Sequence, residues 1–98
     1  MEKSVAIVMG ASQGIGRSTA IRLARDFSAL VLVARDRANL EHTAEAVKAA
    51  SAEELIIDID LAQPAAAQAV VDQALAAFGR IDALLNIAGA VHRSTSSR

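Results

Sequence analysis

Four short, continuous apolar runs alternate along the chain with three longer stretches in which apolar residues recur every three or four positions. Val5-Ala6-Ile7-Val8-Met9 has strand length and ends at Gly10, the pattern of a strand buried on both faces. Ala20, Ile21, Ala24 and Phe27 follow at helical spacing, with Arg22, Arg25 and Asp26 on the other side. Leu30-Val31-Leu32-Val33-Ala34 repeats the buried-strand pattern. Asp36 then stands where an N-cap belongs, Arg37 and Glu41 form an i,i+4 pair, and Leu40, Ala44 and Val47 make the apolar stripe of a second helix. A third strand is predicted at Leu55-Ile56-Ile57-Asp58-Ile59. Pro64 suits the first turn of a third helix with the stripe Ala67, Val70, Val71, Ala74, Leu75 and Phe78, and Gly79 stops it. Asp82-Ala83-Leu84-Leu85-Asn86-Ile87 is the fourth strand, and from Ala90 onward the periodicity is lost.

Strand and helix in strict alternation predict a parallel α/β sheet with right-handed crossovers, built as βαβαβαβ. With strand order 3-2-1-4, the first two helices cover one face and only the third covers the other. Since all four strands are apolar on both faces, one face is under-covered, and strand four is left as an apolar edge. The sheet is therefore expected to be truncated after its fourth strand. Residues 1–89 form one domain and residues 90–98 a polar, flexible tail.

Composition narrows the function classes. A chain of 98 residues supports one core, and 53% hydrophobic residues argue against disorder. The absence of Cys excludes disulfides and thiolate chemistry, and His42 and His92 alone do not make a metal site. A net charge of -1, with no basic block and no Tyr or Trp, argues against nucleic acid as a partner. No apolar run reaches membrane-spanning length and the first residues lack a signal peptide's layout, so no membrane partner and a cytoplasmic location are expected.

The chemistry concentrates in Gly10-Ala11-Ser12-Gln13-Gly14-Ile15-Gly16, between the first strand and the first helix. Glycines there let the backbone turn tightly and approach a pyrophosphate, while free N–H groups at the helix start supply donors with a favourable dipole. The spacing is not G-x-G-x-x-G, which would need a glycine at Thr19. Nor is it a Walker A loop, because Ile15 and Gly16 occupy the places of its Gly-Lys. Taken alone, the glycines could also be turn punctuation.

G-x-x-x-G-I-G resembles the glycine motif of the short-chain dehydrogenase/reductase family, with Met9 in place of the family's Thr. Gly79 to Gly89 resembles the family's second signature, F-G-x-I-D-x-L-V-N-N-A-G, with Ile87 in place of the second Asn. The match spans residues 5 to 89 and implies the cofactor-binding part of a Rossmann-like NAD(P)-dependent oxidoreductase acting on an alcohol or carbonyl. The resemblance implies that Gly10, Ser12, Gln13, Gly14, Ile15 and Gly16 meet the pyrophosphate. Asn86 would steady the central strands, with Ala88 and Gly89 beside the nicotinamide-side ribose. Asp60 and Leu61 would meet the adenine, unless Asp60 merely caps a turn.

Cofactor choice turns on the residue after strand two, where an acid binds the NAD ribose and an Arg pairs with the NADP 2'-phosphate. Arg35 stands there and favours NADP(H) over NAD(H), unless it is only a solvated charge at a helix entry. Gln13 is not the basic loop residue that often accompanies this preference in the family. The family's catalytic Tyr-x-x-x-Lys is absent because the chain has no Tyr, so no catalytic residue is assigned and the chain alone is expected to be inactive. His92, Ser94, Ser96 and Ser97 are read as part of the flexible tail, not as a nucleophile and its base. Loss of resemblance after Gly89 or Val91 points to a truncated or frame-shifted product. Two other readings remain: a non-catalytic module that self-associates through the strand-four edge and the uncovered sheet face, and a product without function.

Overall fold

The computed structural model describes residues 4–12 and 14–87. Within them the chain forms β1 (Val5–Met9), α1 (Gly14–Leu23), β2 (Ala29–Ala34), α2 (Arg37–Ala49), β3 (Glu53–Asp58), α3 (Ala66–Phe78) and β4 (Ala83–Asn86). The strands are parallel in the order β3-β2-β1-β4, as the alternation predicts. Val5 lies opposite Ala29 and Ala6 opposite Ala83, so β1 and β2 are the interior strands and every residue of both is buried.

Because side chains alternate across a strand, β1 and β2 feed two cores at once. Ala6, Val8, Leu30 and Leu32 pack with Ala20 and Ala24 and with Leu40, Ala44 and Val47 of α2. Val5, Ile7, Val31 and Val33 pack on the other face with Val70 and Ala74 of α3. Burying each Val, Leu or Ile contributes about 1.5–3 kcal/mol, so these interior strands dominate stability. The outer strands are covered less completely: Leu84 of β4 is 48% exposed, on the face covered by α3.

Several boundaries depart from the periodicity. α1 ends at Leu23, and Ala24 and Phe27 continue the apolar stripe through a hydrogen-bonded turn; Ile21 faces outward instead of joining it. β3 begins at Glu53 and ends at Asp58, because ladder pairing with Ala29–Ala34 is a backbone property that tolerates Glu53 and Glu54. Pro64 lies in a turn ahead of α3, where the Ala66 N–H donates to the Gln63 carbonyl. On α3, Ala66, Val70 and Ala74 form the buried row, while Ala67 and Leu75 in the neighbouring row are exposed. The neighbouring row is buried only in part, through Val71 and Phe78, of which Phe78 packs against the α3-side core. Gly79 caps α3 with φ 80°, its N–H donating to the Leu75 carbonyl at 2.8 Å.

At the N-terminal ends of the strands, Asp82 accepts from the Val5 N–H at 2.8 Å and from the Arg80 guanidinium at 2.6 and 3.0 Å. The Arg80 hydrogen bonds, helped by the Val5 N–H, hold its carboxyl below the usual carboxylate range.

Candidate functional site

The opposite, C-terminal ends of the strands carry the glycine loop. Gly10 has φ 93°, and the Gly10 and Ala11 N–H groups both donate to the Val33 carbonyl, at 2.7 and 3.1 Å. The loop is thereby fastened to the last residues of β2. A Cβ on Gly16 would lie 1.6 Å from the Gly10 carbonyl oxygen, so only glycine lets the start of α1 rest on the loop backbone. Gly14 is the opposite case: its φ is 59°, yet nothing lies within 4 Å of where its Cβ would stand. The side of Gly14 is therefore open among the described residues, at the start of a helix whose first turn contains no acidic residue and whose first N–H groups have no partner within the helix. Ile15 in that turn is 75% exposed. Ser12 is half-buried, and its carbonyl accepts from Arg17 Nη2 at 2.6 Å.

Arg35 and Asp36 follow β2 and behave differently. Asp36 caps α2 with both oxygens, Oδ1 accepting from the Asn39 N–H at 3.1 Å and Oδ2 from Asn39 Nδ2 at 2.9 Å. Arg37 pairs with Glu41 and with Asp58. Arg35 is exposed, and among the described residues it makes no ion pair or side-chain hydrogen bond.

Asp60 and Leu61 follow β3. The Ile59 N–H donates to the Ala34 carbonyl at 2.9 Å, which sets Asp60 beside the start of the Arg35 segment. Asp60 Oδ1 accepts from the Ala62 N–H at 2.9 Å, the turn-capping role that the sequence leaves open. Leu61 is half-buried against the α3-side core. Asn86 ends β4 opposite Met9, and the Ile87 N–H donates to the Met9 carbonyl, so β4 delivers Asn86 to the edge where the glycine loop begins. Gln13, Ala88 and Gly89 lie outside the described residues, as do His92, Ser94, Ser96 and Ser97.

The structure thus brings Gly10, Ser12, Gly14, Ile15, Gly16, Arg35, Asp60, Leu61 and Asn86 to one edge. The edge crosses four strands, about 14 Å at roughly 4.8 Å per strand spacing, which suits an elongated ligand with a central anion. Thr43 escaped the sequence reading although it is fully buried on the side of α2 that meets the loop; its signal was a polar residue inside the stripe of Leu40, Ala44 and Val47. No cluster of potential metal ligands occurs among the described residues, and none of their helices is long and apolar enough to cross a membrane.

A profile of the short chain dehydrogenase family matches residues 4–98, reaching through the tail that the sequence reading sets apart. A 1,6-dihydroxycyclohexa-2,4-diene-1-carboxylate dehydrogenase of Acinetobacter baylyi is 43% identical over 89 residues, which cover 90% of this chain and 33% of that protein. Among solved structures, a metagenomic short-chain oxidoreductase in complex with NADP superposes with a TM-score of 0.81 at 40% identity, covering 88% of this chain and 39% of the other. An NAD+-bound xylitol dehydrogenase superposes with a TM-score of 0.82 at 35% identity, covering 88% and 33%. The chain spans about a third of the length of the curated relatives it matches.

Proposed function

Since this chain belongs to the short-chain dehydrogenase family, we propose that it binds a nicotinamide dinucleotide across the strand ends, preferring NADP(H) to NAD(H), as the cofactor-binding part of an oxidoreductase. The carrying observation is the glycine loop, where Gly16 permits contact with the Gly10 carbonyl and Gly14 leaves the helix start open. Those features fit a pyrophosphate, which needs N–H donors and room for close backbone approach. Relatives of known structure hold NADP or NAD, which supports the same ligand class here.

The preference for NADP(H) rests on Arg35 and Asp36. Asp36 already gives one lone pair of each oxygen to Asn39 as a helix cap, which holds its carboxylate toward α2, whereas the exposed Arg35 guanidinium is available to a 2'-phosphate. Asp60 and Leu61 would line the adenine end, with Asn86, Ala88 and Gly89 at the nicotinamide end. The bound cofactor supplies the hydride exchanged with an alcohol or carbonyl. This chain orients the dinucleotide; with no Tyr in its 98 residues, no group is assigned to move the accompanying proton, and the chain alone should not turn over.

Titration of the chain into NADPH, and separately NADH, followed by dihydronicotinamide emission, tests the reading. Saturable binding of both, tighter for NADPH, is expected. A cooperatively folded chain that binds neither refutes it. A second reading is favoured by Leu75 and Leu84, 44% and 48% exposed: self-association through the β4 edge and the partly covered face. A mass that rises with concentration, without cofactor affinity, is its expected signature.

A further inference from the structure

Arg17 and Thr43 belong to neither of the two motifs, yet they join three segments around the loop. Arg17 Nε donates to Thr43 Oγ1 at 3.0 Å, and its Nη2 donates to the Ser12 carbonyl at 2.6 Å and the Asn39 carbonyl at 3.3 Å. Thr43 Oγ1 lies 2.9 Å from the Ala11 carbonyl and 3.2 Å from the Asn39 carbonyl, which compete for its one proton. Thr43 is fully buried, and Asn39 is the residue whose N–H and amide Asp36 caps. One guanidinium and one hydroxyl therefore tie the glycine loop and α1 to the first turn of α2.

We propose that Arg17 and Thr43 are positioning residues that fix the glycine loop against the first turn of α2, and so set the pyrophosphate donors relative to Arg35. The proposal rests on the cofactor reading above. Its physical basis is the planar trans peptide, in which C=O and N–H point in opposite directions. Drawing the Ala11 carbonyl toward Thr43 turns the Ser12 N–H away from that interior. Holding the Ser12 carbonyl on Arg17 fixes the far side of the same residue. A loop held this way pays little ordering entropy when an anion arrives. The Asn39 contact carries the constraint to Asp36 and hence to Arg35, its chain neighbour.

Thr43→Val keeps the shape and removes the hydroxyl, while Thr43→Ser keeps the hydroxyl. Three quantities are measured for each variant: the Kd for NADPH and NADH well below the melting midpoint, the midpoint itself, and amide exchange at Gly10 and Ala11, whose N–H groups donate to Val33. Thr43→Val is expected to raise Kd for both cofactors about tenfold and to speed exchange at Gly10 and Ala11 by a similar factor, with the interior of β2 unchanged. Thr43→Ser should stay within about twofold of the parent chain. A Thr43→Val chain that melts lower but keeps the parent Kd and loop exchange overturns the proposal. If Thr43→Val does not fold, Arg17→Lys takes its place, since lysine keeps the charge but loses the fork that reaches Thr43, Ser12 and Asn39 together. Should the parent chain bind neither cofactor, the reading of function fails separately, and exchange at Gly10 and Ala11, which needs no ligand, still decides whether the pair holds the loop.

Discussion

The two ends of the same sheet are finished differently. At the N-terminal ends, polar groups pair with one another: Ser4 and Ser28 exchange backbone-to-hydroxyl hydrogen bonds at 3.2 Å, and Asp82 gathers the Val5 N–H and the Arg80 guanidinium. At the C-terminal ends, the first turn of α1 opens onto free space at Gly14, and Arg35 has no ion pair among the described residues. One end pairs its polar groups with one another, whereas the other combines paired groups such as Asp36 and Arg37 with an open helix start and an exposed Arg35. A parallel sheet makes this division natural, because every crossover helix begins at the same edge and directs its N-terminal dipole there.

Four substitutions probe the contrast. Gly16→Ala should have the largest effect, because its Cβ would meet backbone 1.6 Å away and α1 must lift off the loop. We expect a loss of about 3 kcal/mol in thermal denaturation, together with no measurable cofactor binding. Arg35→Ala should weaken NADPH about ten- to thirtyfold in the emission titration while leaving NADH affinity and the melting midpoint unchanged. An equal loss for both cofactors would assign Arg35 no phosphate role. Gly14→Ala should cost about 1 kcal/mol from its φ of 59° with no steric clash, so stability falls modestly and binding falls with it. The smallest effect belongs to the closed end. Since Asp82 has a lowered pKa in the fold, its contribution is present at neutral pH and is lost as pH falls below about 4. Asp82→Asn should flatten the acid limb of the melting midpoint and leave cofactor affinity alone.

The open end was largely legible in the sequence, and the closed end was not. Gly10, Gly14 and Gly16 announce themselves because positive φ and close backbone approach exclude other residues, and strand order follows from apolar runs alternating with helical stripes. Ser4 with Ser28, and Val5 with Asp82, are contacts between residues distant in sequence, with no local signature. Asp36 was legible as a cap, but that both its oxygens serve Asn39 depends on a rotamer. Ala67, Leu75 and Ile21 were misassigned for a related reason. Periodicity shows which helix positions are apolar, but how wide a row is buried depends on what packs there.

The capping of α2 by Asp36 also bears on how this family branch changes over time. Arg35 and Asp36 are adjacent in the chain, yet one is exposed with no ion pair among the described residues and the other starts a helix. Substitution at position 35 leaves the cap of the following helix intact, whereas at position 36 only residues that can cap, such as Asn, Ser or Thr, keep the first turn of α2 at full stability. Adjacent codons would then evolve at unequal rates for separate physical reasons.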